Sequence, residues 1–289
     1  MINVIANKKI VEDEMKKDKL EYFLNPALPN IELTLASVKE FEFDRHIHLD
    51  YHIGSVSSGC LQYLHHGRSY IMGTGLLSII NPDEVHTGAS KSVNGYTGHF
   101  MAIPPTFINL ISQNFKQPEA FFSKSLIDDP YLYNAFMYLH NIGVSHPYEA
   151  QHLQLETVMI AFASELVQRY GGVPFDVGEH ASRLSRKQLN QIKDLFHADP
   201  SQSFQLQELS EPLGLSKFQF LRQFKQSMGI TPHAYFKRVR LEYAKRALIK
   251  GKEISDVAYQ VGFFDQSHLN KAFKQAYLVT PKHFQQRCL

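Results

Sequence analysis

Two short segments near the C-terminus set hydrogen-bonding side chains beside apolar residues at helical spacing. Phe220 and Phe224 lie four residues apart and so share one helix face, which leaves Arg222 on another face. Leu269 and Phe273 repeat that spacing further along the chain. An arginine fork pairs with the two acceptors on the major-groove edge of guanine, and Asn or Gln pairs with adenine. These residue types indicate recognition through hydrogen bonds.

Each segment follows a glycine-marked turn, and the two turns belong to an internal repeat. Gly214 and Gly262 are 48 residues apart, and Pro232 and Pro281 are 49 apart. Before each glycine, apolar residues recur at helical spacing: Leu206, Leu209 and Leu213 in copy one, and Ile254, Val257 and Val261 in copy two. Such a stripe predicts a short helix, and the glycine predicts the left-handed residue that ends it. Two matched copies favour two helix-turn-helix units.

Capping residues predict where further helices begin and end. Ser216 with Gln219 three residues later predicts a capping box at the start of the first reading helix. Thr231 and Pro232 predict the start of a long helix that ends before Gly251. Its predicted core stripe is Phe236, Val239, Tyr243 and Ala247, and its predicted exposed residues are Lys237, Arg238, Lys245 and Arg246. A rigid connecting helix lets two reading helices enter successive major grooves about 34 Å apart.

Two residues depart from the repeat. Pro212 lies in the last turn of the first short helix, where it removes a hydrogen bond and predicts a local kink. Leu278 takes the place that Gly229 has in copy one, which predicts a less sharply bent corner there.

Through these residues the chain resembles the DNA-binding domain of AraC/XylS-type bacterial transcription regulators. The resemblance is carried by residues 256–269, by Phe273-Lys274, by Val279-Thr280-Pro281 and by the connecting residues 240–248. It implies DNA contact by Lys217, Phe218, Gln219, Leu221, Arg222 and Lys225 in copy one, and by Gln266, Ser267, His268, Asn270, Lys271 and Lys274 in copy two. Arg222 is expected to contact guanine, and Phe218 a thymine methyl group. Because the turn into the second reading helix is one residue longer, we expect an asymmetric DNA site.

Charge is distributed unevenly along the 289 residues. From Arg183 to the C-terminus there are 18 Lys and Arg but 8 Asp and Glu, whereas the preceding 182 residues hold 12 basic and 20 acidic residues. This asymmetry indicates that only the C-terminal half meets a polyanion.

Other classes of protein are disfavoured by simple absences in the sequence. The N-terminus lacks the apolar segment and cleavage site of a secretory signal, and apolar runs such as residues 75–80 are too short to span a bilayer. Cys60 and Cys288 are too few and too isolated for a disulfide framework or a zinc site. We expect a cytoplasmic protein with no membrane partner.

The N-terminal half shows strand patterns followed by helical ones. Residues from Ile31 to about Met101 form short β-prone runs broken by Gly, Asn and Pro, which predicts a sandwich or small barrel. From Pro105 to about Tyr170 the pattern is helical. Leu155, Val158, Met159, Phe162 and Leu166 line one helix face, which either packs on the barrel or forms a dimer.

This half resembles the cupin-type sensor domain of the same family, through residues 45–51, 67–70, 73–75, 81–86 and 98–105. The resemblance implies effector contact by His46, His48, Tyr51, Tyr63, Tyr70 and His86. In many cupins an H-x-H pair with a later histidine binds a metal, and strand alternation puts His46 and His48 on one face. Four residues after His86, however, stands Ser90 rather than a further ligand, so we expect no metal or other cofactor.

The sequence therefore predicts an α+β two-domain protein. It has an N-terminal arm (1–30), a cupin-like ligand-sensing β-barrel with a helical dimerisation segment (31–170), a linker (171–182), and an all-α double helix-turn-helix domain (183–289). We expect a DNA-binding transcription regulator, an activator rather than an enzyme, that responds to a small-molecule effector. Its expected partners are double-stranded promoter repeats, RNA polymerase and a second copy in a homodimer. The alternative is a metal-dependent cupin enzyme fused to a DNA-binding tail, although no nucleophile–base pair or acidic dyad stands out.

Overall fold

The computed structural model describes residues 18–115, 120–145, 152–172 and 183–288. They divide into two compact units. The second unit contains the chain from Phe175 onward together with Arg45–Leu49 and Asp83–His86, and the first unit contains the rest. The predicted boundaries assigned those two short segments to the sensor domain. The structure groups them with the helical unit because Ile47 and Leu49 are buried in the same core as Phe220.

The first unit is built from antiparallel strands. They are β1 (Lys19–Leu24), β2 (Glu32–Val38), β3 (Phe43–His46), β4 (Tyr51–Ser58), β5 (Leu61–His65), β6 (Arg68–Met72), β7 (Leu76–Ile80), β8 (His86–Ser90), β9 (Tyr96–Ile103), β10 (Phe121–Phe122), β11 (Leu126–Asp128) and β12 (Gly171–Gly172). One sheet has the order β1-β2-β9-β4-β7-β11, a second has the order β3-β8-β5-β6, and β10 pairs with β12.

Two predicted boundaries of this unit need correction. The predicted N-terminal arm contains β1, which pairs with β2 from Lys19 opposite Ser37 to Leu24 opposite Glu32. Buried Leu20 and Tyr22 alternate with less buried neighbours, as expected of a strand with one face toward the interior. The predicted linker begins with Gly171 and Gly172, which form β12. Residues 173–182 of that linker lie outside the described residues.

Three helices complete the first unit: α1 (Pro105–Gln113), α2 (Pro130–Val144) and α3 (His152–Tyr170). The predicted apolar face of α3 packs into the core, where Leu155, Met159, Phe162 and Leu166 are buried. That face therefore belongs to the interior of the unit. Another part of the surface of α3 exposes Leu153 (75%) and Ile160 (44%), which lie two turns apart. In the described parts of the chain, no helix is long and apolar enough to cross a membrane.

A chain of buried imidazoles connects β9 to α2. Nδ1 of His99 lies 3.2 Å from Nδ1 of His140, and Nε2 of His140 lies 3.2 Å from the carbonyl oxygen of Thr34. A carbonyl only accepts, so Nε2 of His140 carries the proton and Nδ1 accepts from His99. Burial and the neighbouring His99 lower the pKa of His140 to about 4. Burial also lowers the pKa of His99.

The His99–His140 pair predicts that the protein loses stability at acidic pH. Well above pH 6.5, His140 is neutral in both the folded and the unfolded chain. Between pH 6.5 and about 4, only the unfolded chain binds a proton at this histidine, so the free energy of unfolding falls as pH falls. The loss attributable to His140 is on the order of 3 kcal/mol across that window. Urea unfolding of wild type and His140→Gln at each pH measures it, because the glutamine amide keeps one donor and one acceptor but does not titrate.

The stability difference between the two proteins should shrink as pH falls from 6.5 to 4. A difference that stays constant with pH contradicts the assignment. The matched control is His283→Gln, which removes an exposed histidine and should leave the pH profile unchanged.

The second unit is helical. Its helices are α4 (Arg186–Ala198), α5 (Leu206–Ser210), a 3-10 turn (Glu211–Leu213), α6 (Lys217–Met228), α7 (Pro232–Ile249), α8 (Ile254–Gln260), α9 (Gln266–Tyr277) and α10 (Pro281–Cys288). The predicted capping box at Ser216 and Gln219 is confirmed, with both hydrogen bonds present. Thr231 caps α7 as predicted, by accepting from the N–H of Ala234.

The first short helix differs from its prediction at both ends. The α-helix ends at Ser210, and Pro212 lies in a 3-10 turn, so the chain changes helix type rather than kinking. Proline has no N–H to donate, which explains the change of helix type. The loss of that hydrogen bond costs least in the last turn of a helix, where a 3-10 turn is common. Leu209 is buried, whereas Leu206 is 37% exposed and contributes little to the predicted stripe.

The corner after the second reading helix is as tight as the first, contrary to prediction. Leu278 adopts the left-handed conformation with φ of 59°, and Gly229 has φ of 75°. In each copy this residue donates its N–H to the carbonyl of the residue four positions earlier, Lys274 or Lys225. The hydrogen bond therefore sets the turn, and Leu278 adopts it despite the cost to a side chain with a Cβ atom.

The two corners should respond oppositely to substitution. Leu278→Gly removes a left-handed leucine and should stabilise the helical unit by about 0.5–1 kcal/mol. Gly229→Ala should destabilise it by about 1–2 kcal/mol, since its Cβ is strained and lies 3.2 Å from the Arg45 guanidinium. Denaturant unfolding of both variants tests this pair, and changes of the same sign contradict it.

Candidate nucleic-acid interface

The first reading helix, α6, keeps its apolar residues inside and most of its predicted DNA contacts outside. Phe220 and Phe224 are fully buried, as predicted. Among the predicted contact residues, Lys217, Phe218, Gln219, Arg222 and Lys225 are exposed, and Leu221 is half-buried. Phe218 is 74% exposed, with the Lys217 ammonium 5.2 Å from its ring centroid. An exposed aromatic beside a cation is suited to contact with a thymine methyl group and a phosphate.

The second reading helix, α9, presents a more polar set. Leu269 and Phe273 are fully buried, as predicted. Gln266, Ser267, His268, Lys271 and Lys274 are exposed, and Asn270 is half-buried. Asp265 caps the helix by accepting from the N–H of His268 at 2.7 Å. Each copy thus brings together the residues predicted for it.

One arginine of the connecting helix links the segment before copy one to the turn of copy two, and no local sequence pattern reveals this role. Arg240 donates from Nε to the carbonyl of Pro200 at 2.8 Å, and from its two terminal nitrogens to Gly262 and Gln202 at 2.9 Å each. Its guanidinium carbon also lies 4.4 Å from the centroid of the Phe236 ring. Pro200 and Gln202 precede copy one, whereas Gly262 is the turn residue of copy two, so a single guanidinium links the segment before copy one to copy two.

Gly262 is required for this contact. It has φ of 76°, and an added Cβ would lie 2.8 Å from the guanidinium of Arg240. The glycine predicted from the turn pattern thus has a second purpose, which is to let an arginine approach the backbone.

A buried carboxylate, Glu242, lies in the middle of the connecting helix, two residues after Arg240. Lys245, which was predicted to be exposed, is 8% exposed, with its ammonium 5.1 Å from the centroid of the Tyr277 ring. Tyr277 donates its hydroxyl to Glu242 at 2.9 Å. Burial raises the pKa of Glu242, but Lys245, His48 and Tyr277 outweigh it and lower the pKa to about 2. Lys245 can be buried because the Glu242 carboxylate supplies an opposite charge.

Asp83 forms a second polar cluster in the helical unit. Tyr235 donates its hydroxyl to Asp83 at 2.7 Å, and the Asp83 carboxylate lies 3.6 Å from Lys193 and 3.8 Å from His197. Burial opposes its charge, yet these donors hold the pKa of Asp83 below its usual value. Arg45 donates to the carbonyl of Gly229 at 2.7 Å. Because these partners are so distant along the chain, neither the Asp83 cluster nor the Arg45 contact leaves a local pattern in the sequence.

The six residues predicted to contact an effector fall into two groups. His46, His48 and His86 belong to the second unit, and Tyr51, Tyr63 and Tyr70 belong to the first. Tyr51 and Tyr63 are buried, and their hydroxyls donate to the backbone carbonyls of Ala120 and Ser125. Tyr70 is half-buried, and its ring stacks on that of Tyr63 with centroids 5.2 Å apart.

Two family models match the chain. The AraC-like ligand binding domain matches residues 28–163, and the helix-turn-helix domain matches residues 209–287. The chain is 28% identical over 235 residues to the HTH-type transcriptional regulator YbfI of Bacillus subtilis strain 168, which covers 79% of this chain and 82% of that protein. It is 29% identical over 122 residues to the HTH-type transcriptional activator RhaS of Yersinia pestis bv. Antiqua, covering 42% of this chain and 43% of that protein.

The fold is also similar to that of a protein of known structure. The structure of ToxT from Vibrio cholerae O395 matches 94% of this chain and 97% of its own, with a TM-score of 0.56 and 14% sequence identity. A sheet-rich ligand-binding domain joined to a double helix-turn-helix domain defines a DNA-binding transcription regulator. The chain belongs to the AraC family of such regulators. The predicted two-domain α+β architecture is confirmed, and the enzyme alternative receives no support from these relatives.

A substitution of Arg240 tests this interface without changing any predicted DNA-contacting residue. Arg240→Lys keeps one charge but loses the fork that reaches three carbonyls at once. We expect DNA affinity to fall about tenfold while the preferred bases stay the same, because the geometry of the two reading helices loosens. Fluorescence anisotropy on matched and mutated sites measures both quantities. A changed base preference contradicts a positioning role.

Proposed function

We propose that the chain regulates transcription by binding an asymmetric promoter site through α6 and α9, each entering one of two successive major grooves. The observation that carries the proposal is the pair of capped helices with buried aromatic faces and exposed hydrogen-bonding faces. The connecting helix α7 has 18 residues and so spans about 27 Å. That length suits two reading helices spaced about one helical turn of DNA apart.

The proposal is tested by substituting single contact residues. Arg222→Ala should lower affinity by about 1–3 kcal/mol only where the guanine it contacts is present, and so relax specificity at one base position. Arg238→Ala, on the connecting helix, should weaken binding to all sequences and lower the salt slope by about 1. Selection of bound sequences from a random pool at about 0.15 M salt, followed by binding to a panel of mutated sites, measures both effects.

A conservative variant separates charge from geometry. Arg222→Lys keeps the charge but cannot form the bidentate pair, so it should resemble Arg222→Ala in specificity. A uniform loss across the panel for Arg222→Ala contradicts the assignment. Absence of any preference over random DNA in the wild type contradicts the proposed function itself.

We also propose that a small organic effector binds the first unit. The match to a ligand-binding family model supports this, and one structure of ToxT from Vibrio cholerae contains an unsaturated fatty acid. Among the predicted tyrosines, Tyr70 is the one available at the surface, stacked on Tyr63. A thermal-shift screen should therefore include fatty acids and aromatic metabolites, with Tyr70→Ala as the variant that loses the response.

Two parts of the proposed function remain: whether the protein activates or represses transcription, and where in the cell it acts. We propose that the protein activates transcription through contact with RNA polymerase. The similarity to RhaS, which is named as an activator, supports the proposed sign of regulation. Because the proposed target is promoter DNA, we propose that the protein acts in the cytoplasm. Transcription in vitro with purified RNA polymerase tests activation directly, since a repressor would lower the yield of transcript.

A homodimer formed through the exposed surface of α3 is the proposed assembly. Leu153 and Ile160 supply apolar surface there that the core of the unit does not use. Ile160→Glu should raise the dimer dissociation constant roughly tenfold or more, because association would bury an unpaired charge. Sedimentation equilibrium measures it, with Gln113→Glu on exposed surface of α1 as the matched control. A monomeric wild type at DNA-binding concentrations contradicts the dimer.

A further inference from the structure

The second helix-turn-helix copy has one residue more than the first, and the backbone hydrogen bonds show which residue it is. Gly214 and Gly262 each donate the N–H to the carbonyl of the residue three positions earlier. Leu215 and Phe263, which follow them, each donate to the carbonyl of the residue five positions earlier. The two turns are therefore equivalent as far as Leu215 and Phe263.

The two copies differ at the next position. In copy one Ser216 follows at once and caps α6, whereas in copy two Phe264 comes before Asp265, which caps α9. Each capping side chain accepts from the N–H of the residue three positions later, so the two caps are equivalent. Phe264 is therefore the extra residue of copy two, and it has no counterpart in copy one.

The side chain of Phe264 lies in solvent and adds nothing to the core. It is 85% exposed, and of the phenylalanines in the described parts of the chain only Phe218 is also exposed. Phe218 is the second residue of α6, where α9 has Ser267. Each reading helix thus has one exposed phenylalanine at its N-terminal end, although the two come from different positions of the repeat.

The backbone on both sides of Phe264 is held in place. Before it, Phe263 is buried, and its ring centroid lies 5.2 Å from that of His268. After it, the Asp265 carboxylate accepts from the N–H of His268 at 2.7 Å. An aromatic side chain with two rotatable bonds on a fixed backbone makes a contact at little cost in conformational entropy.

We propose, on the basis of the proposed binding of DNA by α9, that Phe264 contacts the 5-methyl group of a thymine in the half-site of copy two. The methyl group is an apolar feature of the major groove, and phenylalanine is one of the side chains that contact it. The N-terminal end of a recognition helix is the part that meets base edges. Because Phe264 precedes the cap, this thymine flanks the bases that Gln266 and Asn270 contact.

Phe264 supplies what the other predicted contacts of copy two lack. Those residues are Gln266, Ser267, His268, Asn270, Lys271 and Lys274, and all of them are polar. Polar side chains form hydrogen bonds with base edges and phosphates, but a methyl group neither donates nor accepts a hydrogen bond. Phe264 is therefore the residue of copy two that recognises thymine by its methyl group.

The test replaces thymine by deoxyuridine, which lacks only the 5-methyl group and keeps every hydrogen-bonding atom. The DNA is the sequence that the full-length wild type selects, with each thymine of the α9 half-site replaced in turn. Fluorescence anisotropy should show one thymine whose replacement weakens wild-type binding about fourfold, the loss expected when one methyl group is no longer buried. Phe264→Ala should bind the thymine and deoxyuridine sites equally.

Two further variants separate this contact from general effects on the domain. Phe264→Leu keeps an apolar side chain and should retain most of the discrimination between thymine and deoxyuridine. Tyr259→Ala removes another exposed aromatic residue of copy two, on α8, and should retain all of it. Circular dichroism confirms that each variant is folded, as expected for substitutions at exposed positions.

The proposal is overturned if no thymine shows this effect in the wild type, or if Phe264→Ala discriminates as the wild type does. It is also overturned if Phe264→Ala lowers the yield of transcript with RNA polymerase but keeps the discrimination, because the phenylalanine then contacts a protein. Wild-type preference for the selected site over random DNA is measured on the same samples. That preference supports the proposed function even when the Phe264 contact fails, so the two failures are distinguishable.

Discussion

The hydrogen bonds of Arg240 hold together the two halves of the DNA-binding domain. Its guanidinium reaches carbonyls of Pro200, Gln202 and Gly262, which lie 40, 38 and 22 residues away along the chain. Burial lowers the pKa of Arg240, whereas the nearby Asp199 raises it. No other side chain offers donors in a rigid fork that can satisfy three separate carbonyls. A double helix-turn-helix needs a fixed distance between its reading helices, and we expect this contact to help set that distance.

The two copies are alike in their turns and unlike in their support. Copy one packs on an aromatic core that includes Phe196, Phe220, Phe224 and Tyr235. Copy two has buried aromatic residues of its own, Phe273 and Phe284. It is also supported by a charged group, in which Glu242 accepts from Tyr277 and Lys245 lies over the Tyr277 ring. The connecting helix serves both, so it is buried on more than one side and lacks a single apolar face. The asymmetry expected for the DNA site thus has a counterpart inside the protein.

Local signals made much of the helical unit predictable. The capping box of Ser216 acts within one turn, and the glycines at the two first turns report a backbone conformation that few other residues adopt. Leu278 was missed because a hydrogen bond to Lys274 overrode its intrinsic preference. Lys245 and Asp83 were missed for another reason. Their partners are recognised only after folding, and Tyr235 is 152 residues from Asp83.

Separation along the chain also explains why the sequence indicated only part of the environment of His46, His48 and His86. His46 and His48 lie close together, but β3 ends at His46, so strand alternation does not explain their proximity. The approach of His86 and of Glu242 also depends on tertiary structure. Glu242 contacts His48 and also accepts from Tyr277, the last residue of the second reading helix. Glu242 therefore links the short segment that contains His48 to the end of α9, and only the tertiary structure reveals this connection.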